Sequence, residues 1–126
     1  MQKYHNTKVL VVDDMSTMQS LIKEVLRQMG FIKVATAGNG KDGLNKAKKI
    51  GFDLIISDWD MPTMTGLEFL KAVRADEELA KTPFLMLTAN ADKDKVIQAL
   101  QAKVTDYIAK PFQPVALVEK VNKVLA

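Results

Sequence analysis

The sequence contains no cysteine, which excludes a disulfide scaffold, a thiolate metal site and a thiol nucleophile. It also lacks any apolar run near the roughly eighteen residues that a membrane span requires. The segment from Met1 to Lys8 is polar and has no stretch resembling a secretory signal. Histidine occurs once, as His5 in that polar segment, where exposure to solvent is expected and a role as ligand or base is not. These absences together predict a cytoplasmic protein with no membrane insertion.

What is present suits one compact domain. The chain has 126 residues, 48% of them hydrophobic and spread along its whole length. Residues 1–7 are expected to form a short tail and residues 8–126 the domain, with no output domain attached. The formal charge is +3 and the pI about 9.1. Lys41, Lys46, Lys48 and Lys49 fall in one helical stretch, and Lys93, Lys95 and Lys103 in another. Lysines scattered in this way describe the wet faces of amphipathic helices, so nucleic acid is not an expected partner.

Several short runs are apolar throughout or nearly so: Val9-Leu10-Val11-Val12, Leu54-Ile55-Ile56-Ser57, Phe84-Leu85-Met86-Leu87 and Tyr107-Ile108-Ala109. Strands covered by helices on both faces have this character, because neither face meets water. Lys33-Val34-Ala35-Thr36 predicts a weaker strand nearer an edge. Between these runs the period becomes helical. From Thr17 to Met29, Leu21, Ile22, Val25, Leu26 and Met29 form one stripe. Gly30 is placed to end that helix in a left-handed cap on which Phe31 folds back. Further helices are predicted near 40–50, 66–75 and 93–101, and Gly43 weakens the first by about 1 kcal/mol relative to alanine. Pro114 opens the last helix, whose stripe is Leu117, Val118, Val121, Val124 and Leu125. Repeated β-α units predict an α/β fold, with a five-stranded parallel sheet between helices on both faces.

In such a sheet, ligands bind beyond the carboxyl ends of the strands. The first predicted strand ends in Asp13-Asp14, the third in Asp58 and the fourth in Thr88, and Lys110-Pro111 follows the fifth. One aspartate after a strand is ordinarily a turn former, but here carboxylates from separate strands converge on one mouth. They would repel each other unless a cation sat among them. Oxygen ligands without His or Cys favour a hard ion such as Mg²⁺ over zinc. A carboxylate is also a competent nucleophile towards phosphorus, giving an acyl phosphate. The metal and Lys110 would neutralise the charge that develops on the phosphoryl oxygens.

The segments Val11-Val12-Asp13-Asp14-Met15-Ser16-Thr17-Met18, Ile56-Ser57-Asp58-Trp59-Asp60-Met61-Pro62 and Met64-Thr65-Gly66 occur in order, followed by Leu87-Thr88-Ala89, Asp106-Tyr107 and Lys110-Pro111-Phe112. In these the chain resembles the receiver domain of bacterial two-component response regulators, nearest to its chemotaxis branch. The resemblance implies a flavodoxin-like (βα)5 three-layer sandwich of strand order 2-1-3-4-5. It implies Asp58 as phosphoacceptor, and Mg²⁺, or Mn²⁺ in its place, on Asp14, Asp58 and the backbone carbonyl of Asp60, with Asp13 acting through water. Lys110 would pair with phosphoryl oxygens, Thr88 would hydrogen-bond them, and Tyr107 would turn inward as the second switch residue. A cis Lys110–Pro111 bond is implied as well. The implied partners are a histidine kinase as phosphodonor, the flagellar motor switch or another output protein, and a phosphatase. The chain would act as a monomer that catalyses its own phosphorylation and dephosphorylation and turns over no external substrate. The face formed by the fourth helix, fifth strand and fifth helix would carry the signal.

Some positions depart from the family pattern. Asp60 stands where relatives often have Asn, and with Asn90 it flanks the path of the hydrolytic water. Ala102-Lys103-Val104 fills a turn that commonly holds glycine, where Lys103 can interact with the preceding helix end. Trp59 is expected as partly exposed packing beside the acceptor. Other readings remain open: a stand-alone receiver in another phosphorelay, a phosphate sink, or a passive binding module. A phosphatase of the haloacid dehalogenase type is the remote one, since Pro62 replaces the Thr or Val its motif expects. A flavin carrier conflicts with Asp13-Asp14, which would repel the flavin phosphate.

Overall fold

The computed structural model of the protein describes residues 3–89 and 92–126. Strands and helices alternate as β1 Lys8–Val12, α1 Ser16–Gln28, β2 Lys33–Ala37, α2 Gly40–Ile50, β3 Leu54–Asp58, α3 Gly66–Ala75, β4 Phe84–Thr88, α4 Lys93–Gln101, β5 Asp106–Ala109 and α5 Pro114–Leu125. Every neighbouring pair of strands is parallel, in the order β2-β1-β3-β4-β5. This is the flavodoxin-like arrangement that the resemblance implies.

Alternate residues of each strand feed two separate cores. Leu10, Val12, Ile55, Phe84 and Met86 pack with Ala47, Phe69, Leu70, Val73 and Ala99. Val9, Val11, Leu54, Ile56, Leu85 and Leu87 pack with Ile22, Val25, Leu26, Leu117 and Val121. Thus α1 and α5 cover one face of the sheet, and α2, α3 and α4 the other. Burial on both sides is why β1, β3 and β4 read as unbroken apolar runs; β5, expected to be covered in the same way, lies at the sheet edge with only Ile108 buried. Each fully buried side chain of this size contributes about 1.5–3 kcal/mol through removal from water.

Helix ends follow local chemistry. Gly30 takes φ 103°, its N–H meets the Arg27 carbonyl, and the Phe31 N–H meets that of Leu26. Phe31 and Leu26 then share one core, which completes the expected cap. The turn after α4 repeats the motif with a different residue. Lys103 occupies φ 66°, its N–H bonds to Leu100 and that of Val104 to Ala99. Arg74 Nε clamps this turn by donating to the Lys103 carbonyl at 2.9 Å. The helix that looked weakest on propensity is well formed, and tertiary packing explains why. A Cβ at Gly43 would lie 2.9 Å from Val12 Cγ2 and 3.2 Å from Phe69 Cζ, so its absence lets α2 lie close on β1. Asn39 caps that helix through the Asp42 N–H.

Two details correct the sequence reading. Leu21 is exposed, outside the buried stripe of α1. The N-terminal tail is not wholly solvated: although His5 is exposed as expected, Tyr4 is buried. Its ring stacks on Phe31 with centroids 4.3 Å apart, and its hydroxyl donates to Asn122 Oδ1 on α5.

Candidate functional site

The carboxyl ends of β1, β3, β4 and β5 bring the expected residues together. Asp13 follows β1, and its N–H continues the ladder by bonding to the Ala37 carbonyl at 3.1 Å. The Asp13 side chain is fully buried. Its Oδ1 accepts from the Met15 N–H at 2.9 Å, and its Oδ2 lies 3.5 Å from Lys110 Nζ. Asp14 is exposed at the mouth. Asp58, the last residue of β3, is buried, and its Oδ1 accepts from Lys110 Nζ at 2.9 Å. Thr88 is buried at the end of β4, and its carbonyl accepts from the Lys110 N–H at 2.8 Å. The Lys110–Pro111 bond is cis.

The charges of the pocket are interdependent. Burial pushes the Asp58 carboxyl up from its ordinary value, the nearby Asp13 charge adds to that, and Lys110 only partly offsets it. Burial disfavours the charged form of Lys110, yet its hydrogen bond and attraction to Asp58, with Asp13 behind, raise it overall. One carboxylate oxygen each from Asp13, Asp14 and Asp58 lies within 4.8 Å of the others. Such a hard, all-oxygen, net negative donor set fits a divalent ion of the Mg²⁺ class.

Asp60 sits just beyond Asp58, exposed, with Oδ1 3.7 Å from Lys95 Nζ. Tyr107 lies on β5, half-buried, with Lys120 Nζ 5.8 Å from its ring centroid. Asn90 lies outside the described residues. Trp59 corrects the expectation of partial exposure. It is 6% exposed because its ring joins the core beneath α3 and α4. Two further residues support the site. Gln19 Nε2 donates to the Asp13 carbonyl at 2.7 Å and to that of Ala37 at 3.3 Å, tying the ends of β1 and β2. The only signal for it was a polar side chain one turn into α1. Gly66 allows the start of α3 to press on the end of β3, since a Cβ there would lie 2.2 Å from the Asp58 carbonyl oxygen.

Residues 9–122 match the response regulator receiver domain. The chain belongs to that family. This receiver is 46% identical over 119 residues to the chemotaxis protein CheY-3 of Vibrio cholerae, covering 94% of this chain and 92% of that one. It is 47% identical over 117 residues to CheY of Pseudomonas aeruginosa, covering 93% and 94%. Among solved structures, Vibrio cholerae CheY4 superposes with a TM-score of 0.89 at 40% identity, covering 94% of this chain and 98% of that one. The receiver domain of the sensor histidine kinase PA1611 from Pseudomonas aeruginosa, with a magnesium ion coordinated in its active site cleft, gives a TM-score of 0.87 at 29% identity. It covers 96% of this chain and 98% of that one. Among the described residues, no helix is long and apolar enough to cross a membrane.

Proposed function

We propose that this receiver accepts a phosphoryl group on Asp58 from a histidine kinase and signals through the face formed by α4, β5 and α5. The observation that supports it most is Lys110 Nζ at 2.9 Å from Asp58 Oδ1, in a pocket shared with Asp13 and Asp14. An Asp58 oxygen attacks phosphorus, an O–P bond forms, and the P–N bond to the kinase histidine breaks with its electron pair returning to the imidazole. Lys110 transfers its hydrogen bond from the carboxylate to the phosphoryl oxygens, where a charge-assisted contact is strongest. Mg²⁺, or Mn²⁺ in its place, held by Asp14, Asp58 and the Asp60 backbone carbonyl with Asp13 behind, supplies charge neutralisation when bound.

Thr88 hydrogen-bonds the phosphoryl group and Tyr107 turns inward, so a local charge change biases a two-state surface. Water then cleaves the acyl phosphate, restoring the carboxylate and releasing phosphate. A cytoplasmic role in chemotaxis, as a monomer that binds the flagellar motor switch, draws support from the 46% and 47% identity to chemotaxis proteins.

The test is intact-mass analysis after a small phosphodonor with Mg²⁺. Wild type is expected to gain one phosphoryl group, and Asp58→Asn none. Pull-down on motor-switch fragments is expected only for the phosphorylated protein. Phosphorylation without such binding would move the reading to another phosphorelay or a phosphate sink.

A further inference from the structure

Lys95, in the first turn of α4, makes two contacts that the phosphoryl chemistry above does not use. Its Nζ lies 5.1 Å from the centroid of the Trp59 ring and 3.7 Å from Asp60 Oδ1. Trp59 and Asp60 are the two residues that follow Asp58. The indole is buried in the core, so its face is fixed, and an ammonium over it is held by attraction to the ring. Side-chain exposure is 26% for Lys95 and 66% for Asp60. The lysine is therefore the anchored partner, and the carboxylate is drawn to it.

We propose that Lys95 is a positioning residue of the acceptor loop, pinning and neutralising the Asp60 carboxylate while tying α4 to the residues after Asp58. The proposal rests on Asp58 as the acceptor. Asp13, Asp14 and Asp58 already crowd the pocket, and an unpaired Asp60 would add another negative charge on the loop that leads into it. An anionic phosphodonor is repelled by each uncompensated carboxylate. With Lys95 in place, that loop presents a neutral pair. Because the lysine belongs to α4, the same contact links the acceptor loop to a helix of the proposed signalling face. Negative charge arriving on Asp58 competes with Asp60 for this ammonium.

The test follows phosphorylation of the full chain by acetyl phosphate and Mg²⁺, read by intact mass. An Asp58 oxygen bonds to phosphorus as the P–O bond to acetate breaks, and acetate leaves with the electron pair. Trp59 emission is recorded separately without donor. Lys95→Ala is expected to react about two- to fivefold more slowly at subsaturating donor, the range of an exposed ion pair. The slowing should lie in the donor concentration needed, not in the limiting rate, and Trp59 emission should shift. Lys95→Arg should restore both. In the Asp60→Asn background, Lys95→Ala should leave the rate nearly unchanged while still shifting Trp59 emission.

Equal slowing in both backgrounds would overturn the clasp, since it would show charge acting at long range without Asp60. So would a Lys95→Ala protein that matches wild type in rate and emission. A wild type that takes no phosphoryl group would overturn the acceptor reading and this inference together, whereas an active wild type with an indifferent Lys95→Ala overturns this inference alone.

Discussion

Lys110 Nζ lies 2.9 Å from Asp58 Oδ1, one on the last residue of a strand and the other on the first residue beyond its neighbour's neighbour in the sheet. One ammonium thus serves a pocket in which Asp13, Asp14 and Asp58 face each other. Burial raises the Asp58 carboxyl, with Lys110 only partly offsetting it, so repulsion and desolvation dominate when no cation is bound. Asp58→Asn is expected to stabilise the metal-free protein by about 1 kcal/mol at neutral pH. The check is urea unfolding in the presence of a chelator: a higher midpoint with unchanged slope. A lower midpoint would mean that the ion pair outweighs the crowding.

Gly66 tests the contact between α3 and the end of β3. Its missing Cβ would lie 2.2 Å from the Asp58 carbonyl oxygen and 2.8 Å from Trp59 Cα, and backbone atoms cannot yield as a flexible side chain can. Gly66→Ala should destabilise by about 3 kcal/mol or more. Gly38→Ala is the control, because a Cβ added there would meet nothing within 4 Å, and it should stay within about 0.5 kcal/mol of wild type. Paired thermal melts would distinguish a steric cause from a general cost of replacing glycine.

Lys103 sits at φ 66° in a cap where glycine is free of Cβ strain. Lys103→Gly should therefore raise stability by about 0.5–1 kcal/mol, the left-handed penalty less the extra entropy of the unfolded chain. Denaturant midpoints of the two proteins check it. A loss would show that the Lys103 stem contributes more than its backbone geometry subtracts.

Asp106 supplies the pH prediction. Burial opposes its charged form, but hydrogen bonds from Lys120, the Tyr107 N–H and Lys123, with the charge of Lys120, lower its pKa overall. A carboxylate depressed in the folded state adds stability above its unfolded pKa of about 3.9, and that contribution is lost as pH falls through the folded value. Asp106→Asn should be less stable by about 1–2 kcal/mol at pH 7. The gap to wild type should close below the ordinary carboxylate range. A gap that persists unchanged at low pH would assign the effect to packing instead of charge.

Much of this structure was legible in the chain because strong local signals agreed with the fold. Doubly buried strands need unbroken apolar runs, and helix stops such as Gly30 act through their own backbone. The site was legible for a related reason: Asp13, Asp14, Asp58, Thr88 and Lys110 each sit at a strand end, and a parallel sheet gathers strand ends. Contacts decided by tertiary packing were not legible. Gly43 reads as a weak point in its helix until Val12 and Phe69 are seen to need its space. Trp59, between two aspartates, reads as partly exposed until its ring is found in the core shared with residues of α3 and α4. Tyr4 carries no periodic signal at all, and its partners Phe31 and Asn122 are distant in sequence.

That last contact has a practical consequence. Tyr4 precedes β1, and Asn122 lies near the end of α5, so their hydrogen bond brings the beginning and end of the described chain to the rim where the strands start. The carboxylates open at the opposite rim, where the strands finish. A dye or solid support attached beside Tyr4 or beside Asn122 would leave that mouth pointing outward, and the same molecule could be held from either residue with the carboxylates unobstructed.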